Sequence, residues 1–71
     1  MIREGTKVSW AWGDGQASGE VQEVFNEPVV RTIDGTEVKR NASEDDPAYL
    51  IRQEDGQRVL KSASEVERAD E

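Results

Sequence analysis

The chain lacks both cysteine and histidine, which removes two common means of stabilising a small protein or equipping it with a metal. Without cysteine it forms neither a disulfide nor a thiolate metal site, and without histidine it lacks the commonest transition-metal ligand. A chain of 71 residues without these aids depends on a tightly packed core or on oligomerisation. We therefore expect no metal and no other cofactor. The absence of cysteine also agrees with the cytoplasm, the location that we expect.

Long apolar segments are missing as well. No run has the length of a signal-peptide core or of a membrane span, so we expect neither export nor contact with a membrane. The formal net charge of −7 gives no general attraction to phosphate backbones or anionic lipids. No nucleophile and base are paired on a recognisable scaffold, so we predict that the protein is not an enzyme. We expect a monomer.

Three Asp-Gly pairs punctuate the chain at intervals of about twenty residues: Asp14-Gly15, Asp34-Gly35 and Asp55-Gly56. Each pair lies between short apolar runs. A two-residue type I′ turn needs positive φ at both central residues, which Asp tolerates and Gly adopts freely. The spacing therefore predicts three β-hairpin turns in a β-meander.

The segments between these turns have the alternating pattern of half-buried strands. We predict strands over residues 6–12, 17–25, 29–33, 36–40, 48–54 and 57–61. Gly19 indicates a bulge or sharp bend, and the change of parity from Val21 to Val24 also indicates a bulge. Ser62 and Glu65 have the spacing of a capping box, which predicts a single helical turn, with a short closing strand around Val66 as the alternative.

These elements predict an all-β fold of a single domain over residues 1–71, with an ordered core over about 5–67. Five to six short antiparallel strands and a short 3-10 or helical turn near the C-terminus are typical of a small SH3-like barrel, whose closure leaves no exposed edge. The predicted core consists of Val8, Trp10, Val21, Val24, Val29, Ile33, Val38, Tyr49, Ile51, Val59, Leu60 and Val66.

Five segments resemble, in the same order, a known family of small stand-alone proteins. They are KVSWAWGDGQASGEV (residues 7–21), DGTEVKRN (34–41), DPAYLI (46–51), DGQRVLKS (55–62) and SEV (64–66). The chain is similar over about residues 5–67 to the hypervirulence-associated TUDOR-like domain family. The resemblance implies a Tudor-type, SH3-like barrel and implies no particular activity. The family's name reflects a phenotype linked to some of its members and describes no mechanism.

Trp12 is the first candidate for a functional residue because it lies at the mouth of the first loop. Tudor-type barrels use aromatic side chains from such loops to enclose a methylated Lys or Arg through cation–π contacts. A cage here would draw on Trp12 and Tyr49, with Phe25 as a third member, and Asp14 or Asp46 would add a negative charge. Two alternatives remain: a more general aromatic contact surface, or aromatic rings that simply cover one end of the core.

The acidic run Glu44-Asp45-Asp46 offers hard oxygen ligands of the kind that Ca²⁺ and Mg²⁺ prefer. Its spacing differs from the alternating pattern of an EF-hand loop. Asp45 or Asp46 can equally form an Asx-type turn ahead of Pro47, and we favour this structural interpretation.

Five basic residues could align into a strip on neighbouring strands, which would suit nucleic-acid binding. They are Arg31, Lys39, Arg40, Arg52 and Arg58. The alternative is that they pair across strands with Glu37, Glu54 and Asp55, which the net charge favours. The sequence therefore predicts a non-catalytic interaction module that binds a basic peptide or protein through an aromatic and acidic surface. Nucleic-acid binding through the basic strip is the second hypothesis.

Overall fold

The computed structural model describes residues 2–69, which form seven strands and one 3-10 turn. The elements are β1 (Lys7–Trp12), β2 (Gly15–Phe25), β3 (Val29–Ile33), β4 (Thr36–Arg40), β5 (Ala48–Gln53), β6 (Arg58–Ser62), the 3-10 turn (Ala63–Glu65) and β7 (Glu67–Arg68). The predicted all-β fold is confirmed. Within these residues there is no helix with the length and apolar character needed to cross a membrane.

The strands form two antiparallel sheets, and the predicted closed barrel is wrong. One sheet has five strands in the order β6-β5-β2-β1-β7, and the other contains only β3 and β4. The ladder is interrupted on both sides of the β3–β4 hairpin, by residues 26–28 and by residues 41–47. Pro28 contributes to the first interruption because it has no N–H to donate. The larger sheet therefore ends at β6 and β7, and the hairpin packs against it near β6.

β5 is buried on both faces because a separate core cluster packs against each one. One cluster contains Val8, Trp10, Val21, Tyr49, Ile51 and Val66, and the other contains Val29, Ile33, Ala42, Ala48, Leu50 and Leu60. Nine of the twelve predicted core residues are buried, and Val24, Val38 and Val59 are half-buried. Ala42, Ala48 and Leu50 were not predicted. The core is thus divided by a strand instead of filling the inside of a cylinder.

The bulge predicted from the change of parity is present in β2. The register of β2 against β5 shifts between Val21 and Glu23, so that Val21 and Val24 both contribute to the first cluster. The bulge does not lie at Gly19, which pairs regularly with Val8 and Gln53. Gly19 has a different role, because β5 passes directly over the position that a Cβ atom would take.

The three Asp-Gly pairs form three different turns. Only Asp34 and Gly35 both have positive φ, at 52° and 78°, as the type I′ turn requires. In the first hairpin Gly13 and Asp14 are the two loop residues, and only Gly13 has positive φ, which is the type II′ pattern. The third hairpin has a three-residue loop that ends at Gly56, whose φ is 88°. All three connections are hairpins, as predicted, but only the second has the predicted turn type.

Glu65 secures the 3-10 turn to the hairpin. Its carboxylate accepts a hydrogen bond of 2.8 Å from the Ser62 N–H, as the predicted capping box requires, and one of 3.2 Å from Arg40 Nε. Partial burial alone would raise the pKa of Glu65, but the Ser62 hydrogen bond and the charges of Arg40 and Lys61 together lower it. Because the folded pKa is below the unfolded one, this stabilisation is complete at neutral pH and is lost as the pH falls through the folded pKa.

Candidate binding groove

β1 places its two tryptophans on the same face of the larger sheet but in different environments. Side chains alternate along a strand, so Val8, Trp10 and Trp12 all project from one face. Val8 and Trp10 are buried in the first core cluster, whereas Trp12, next to the first hairpin loop, is 73% exposed. Trp12 is therefore the most exposed large apolar side chain in the described part of the chain.

A groove of about 320 Å³ lies beside the Trp12 indole. β1 and β2 form one side of it, and the β5–β6 hairpin forms the other. The residues that line this groove, here called the Trp12 groove, are Trp10, Trp12, Ala17, Gln53, Asp55, Gln57, Val59 and Lys61.

The lining of the Trp12 groove is apolar in part and polar in part. Ala17 and Val59 pack against the first core cluster and supply apolar surface beside the indoles. Asp55 is held in place because its carboxylate accepts a 2.9 Å hydrogen bond from the Gln57 N–H. A carboxylate has two oxygens and several acceptor sites, so Asp55 keeps capacity for another donor. The groove therefore offers a cation two kinds of group, the Trp12 ring and the Asp55 carboxylate.

Tyr49 does not belong to this groove, which contradicts the predicted pairing of Trp12 and Tyr49 in an exposed cage. Tyr49 is 4% exposed and lies within the first core cluster, since β5 has no solvent-facing side along residues 48–51. Burial, together with the negative charge of Asp46, raises the pKa of its hydroxyl above the usual value. The Tyr49 side chain therefore serves packing.

Phe25 is also separated from Trp12. It pairs with Ala48 and packs against the second core cluster, so it lies on the other face of the sheet. After the bulge in β2, Val24 faces the first core cluster and Phe25 faces the second. The Arg31 guanidinium lies 4.8 Å from the centre of the Phe25 ring, so this ring already contacts a cation of the same chain. The predicted three-ring cage is therefore absent from the described structure.

The two candidate aspartates have different environments. Asp14 is exposed in the loop that directly follows Trp12. Asp46 accepts hydrogen bonds from the Ser64 N–H at 3.0 Å and from its hydroxyl at 3.2 Å, and its own N–H donates to Ser43 Oγ. The Asp46 carboxylate thus joins the loop before β5 to the 3-10 turn. Across residues 2–69 no cluster of three or more acidic side chains has the arrangement of a metal site.

The predicted basic strip is divided between different surfaces. In the β3–β4 pair Arg31 faces Val38 and Lys39 faces Val30, so strand alternation directs Arg31 and Lys39 to opposite faces. Arg52 and Arg58 lie directly opposite each other in the other sheet. These positions do not form the single strip that was predicted.

Two ion pairs in the structure differ from the predicted ones. Arg31 approaches Glu23 at 3.8 Å, and Arg40 approaches Glu65 at 3.2 Å. Both acids lie outside the hairpin that carries the two arginines. The predicted partners Glu37, Glu54 and Asp55 form neither of these two contacts.

The β5–β6 side of the Trp12 groove was not predicted from the sequence. Val59 was assigned to the core and Asp55 to a turn and a cross-strand pair, and Gln53, Gln57 and Lys61 received no role in this surface. These residues reach Trp12 only because the sheet brings the ends of two hairpins together, and no local pattern indicates that approach. The alternation of Val8, Trp10 and Trp12 was the one usable signal for the other side.

Comparison with known families gives one match that covers nearly the whole chain. A family model described as "Hypervirulence associated proteins TUDOR domain" matches residues 5–66, a range that includes every residue of the Trp12 groove. Comparisons with curated proteins and with solved structures found no match.

Proposed function

The chain belongs to the hypervirulence-associated TUDOR domain family, and from that premise we propose that it is a non-catalytic interaction module. Tudor-like domains generally mediate interactions. We assign its binding surface to the Trp12 groove and its partner to the class of basic peptides and proteins. The partner inserts a Lys or Arg side chain next to the Trp12 indole.

The exposure of Trp12 is the observation that carries this proposal. Leaving a large apolar side chain in water forgoes roughly 1.5–3 kcal/mol of burial free energy. Trp10, two residues away on the same face, is 5% exposed, so the fold can bury an indole from this strand. Trp12 instead presents its ring to solvent, where the face of an indole is the strongest cation–π acceptor among side chains.

The charge of the chain and the size of the groove support a basic side chain as the occupant. The formal net charge of −7 attracts cations at long range, Asp55 lines the groove together with Lys61, and Asp14 lies two residues after Trp12 in the first loop. A volume of about 320 Å³ is at the lower end for small-ligand pockets and suits one long side chain. The stem of Lys or Arg would lie along Ala17 and Val59 with its charge near Asp55.

A titration with defined peptides tests this proposal. The probes are extended peptides that carry lysine, trimethyllysine, arginine or the uncharged isostere norleucine at one central position. The two tryptophans give separate indole N–H signals in a ¹⁵N–¹H spectrum, and we expect the Trp12 signal to shift with the cationic peptides and the Trp10 signal to shift little. Binding should weaken as salt is added, because the attraction between exposed charges is screened.

Substitutions test whether peptide binding depends on the Trp12 indole or on any exposed apolar side chain. Trp12→Ala should weaken binding of the cationic peptides roughly tenfold, and Trp12→Phe should weaken it less, since phenylalanine keeps an aromatic face. Val30→Ala is the matched control, because Val30 is also a large apolar side chain exposed to solvent, on β3. The proposal fails if norleucine binds as well as lysine, or if Trp12→Ala and Val30→Ala have equal effects.

A further inference from the structure

The β3–β4 hairpin has two outer edges that no other strand covers. Within residues 2–69, β3 and β4 form backbone ladders only with each other. A strand with an open edge presents unpaired N–H and C=O groups, to which another chain can add a strand. The hairpin packs on the larger sheet through its side chains, so this packing leaves the edges without ladder partners.

The register shows which residues direct their backbone groups outward from β3. Ile33 faces Thr36 across the two-residue Asp34-Gly35 turn. The closing pair of such a turn is hydrogen-bonded, so Ile33, Arg31 and Val29 direct their N–H and C=O groups toward β4. Residues 30 and 32 therefore direct theirs to the outer edge.

Arg31 covers part of this edge. Its Nη1 donates a 3.0 Å hydrogen bond to the carbonyl of Val30, one of the outward-directed groups. Its guanidinium is held in place by the Phe25 ring at 4.8 Å and by Glu23 at 3.8 Å. The first contact competes with an added strand for the Val30 carbonyl, and the other two contacts orient the guanidinium that makes it.

The other edge of the hairpin has the same arrangement. Arg40 Nη1 donates a 2.9 Å hydrogen bond to the carbonyl of Lys39, which β4 directs outward by the same alternation. Each edge therefore has one outward carbonyl bound by the arginine that follows it in sequence. A local arrangement that recurs on both strands points to a common role at the edges.

The composition of β3 explains why its edge would need covering. The strand reads VVRTI, in which every residue except Arg31 is β-branched, and Val30 is 43% exposed. Short segments of high β propensity without proline are those that pair with copies of themselves. Arg31 is the only charged residue of the strand and stands at its centre.

We propose that the outer edge of β3 is a latent pairing surface for a second copy of this chain, and that Arg31 keeps it closed. A two-fold antiparallel pairing that uses both outward residues sets Val30 opposite Thr32 of the second copy. Arg31 then faces Arg31 of the second copy at about 4.5 Å between Cα atoms. Two like charges directly opposite each other oppose pairing, and each guanidinium also competes for one carbonyl that the added strand would use.

The test compares the self-association of two threonine variants by sedimentation and light scattering. Arg31→Thr removes both the charge and the hydrogen bond at the edge, and we expect its dimer dissociation constant to be roughly tenfold or more below that of the unchanged chain. Arg52→Thr makes the same change of net charge on an exposed residue of β5, a strand with ladder partners on both sides, and should self-associate no more than the unchanged chain. Circular dichroism establishes that both variants are folded.

A second substitution identifies the edge that pairs. Thr32→Pro removes an outward N–H without removing a hydrogen bond to β4, so it should abolish the dimer of the Arg31→Thr variant. In addition, Arg31→Glu should stay monomeric alone and form a mixed dimer with Arg31→Lys, because opposite charges then face each other. A monomeric Arg31→Thr variant, equal association of Arg52→Thr, or a dimer that survives Thr32→Pro would each overturn the proposal.

Discussion

Replacing Gly19 with alanine should destabilise the fold far more than the same change at Gly15, although both glycines lie in β2. A Cβ at Gly19 would lie 2.5 Å from the carbonyl oxygen of Arg52 and 2.7 Å from Ile51 Cγ2. The first of these atoms belongs to the backbone of β5 and the second to a fully buried side chain. Neither can move without disturbing a ladder or a core cluster.

The magnitude follows from the cost of overpacking. Extra atoms in a well-packed site typically cost about 1–3 kcal/mol, and the backbone contact places Gly19 at the upper end. Replacing glycine with alanine also lowers the conformational entropy of the unfolded chain, which stabilises the fold by about 0.4–1 kcal/mol and offsets part of this cost. The net loss is therefore about 2 kcal/mol, out of roughly 4–10 kcal/mol for a domain of this size. The melting temperature should fall by about 8–16 °C.

Gly15 is the matched control, since it has φ outside the left-handed region and no atom within 4 Å of its added Cβ. Gly15→Ala should change the free energy of unfolding by less than about 1 kcal/mol. Urea unfolding, followed by circular dichroism for both variants, gives the comparison. If Gly19→Ala unfolds at the same urea concentration as Gly15→Ala, β5 does not pass as close to Gly19 as described, and the explanation of this glycine is wrong.

Further predictions concern the tryptophans and the 3-10 turn. Trp10→Ala should cost about 3–5 kcal/mol and lower the melting temperature by at least about 12 °C, whereas Trp12→Ala should melt near the unchanged chain. Similar melting temperatures of the two variants would contradict the assignment of Trp10 to the core. Glu65→Ala should lower the free energy of unfolding in urea by about 1 kcal/mol. Glu65→Gln should lower it less, because the Gln side chain can still accept a hydrogen bond from the Ser62 N–H. The unchanged chain should be more stable than Glu65→Gln at neutral pH. This difference in unfolding free energy should disappear as the pH falls from about 4.3, the pKa of Glu in the unfolded chain, through the lower pKa of Glu65 in the folded state. A difference that persists at pH 2 would exclude the Arg40 contact as its cause.

Local features of the fold could be read from the sequence because their causes lie within a few residues. The bounds of the β3–β4 hairpin follow from Asp34-Gly35 and from the β-branched residues around it. The bulge in β2 was visible as a change of parity between Val21 and Val24, and the capping box as Ser62 followed by Glu65. Each of these patterns has a short-range physical reason, so no knowledge of the remaining chain was needed.

Closure of the barrel could not be predicted in the same way. Alternation indicates which segments are strands, but it does not indicate which edges hydrogen-bond to each other. Here the β3–β4 hairpin packs through Val29, Ile33 and Val38 instead of joining the ladder of the larger sheet. That choice depends on the lengths and directions of the two connections, at residues 26–28 and 41–47, which a pattern of apolar positions does not encode.

The candidate site was predicted in part. Alternation along β1 places Trp10 and Trp12 on the same face, and it was the position of Trp12 next to the first loop that correctly indicated its exposure. Tyr49 was predicted as a core residue, which is confirmed, and also as a member of an exposed cage, which is wrong. A signal for burial was present, because four successive apolar residues, 48–51, are typical of a strand covered on both faces. Asp55 and Lys61 could not be connected to Trp12, because only the tertiary fold brings the two hairpin ends together.

The burial of β5 on both sides also constrains its alignment with its neighbours. A slip by one residue would exchange Tyr49 and Ile51 with Ala48 and Leu50, so that an aromatic ring would enter the space shaped for a methyl group. A strand with one solvent-exposed face is held in register by core contacts on the other face only, whereas β5 makes core contacts on both faces. Misaligned pairings of the central strand are therefore penalised from both directions, which helps a chain of this length to select a single arrangement.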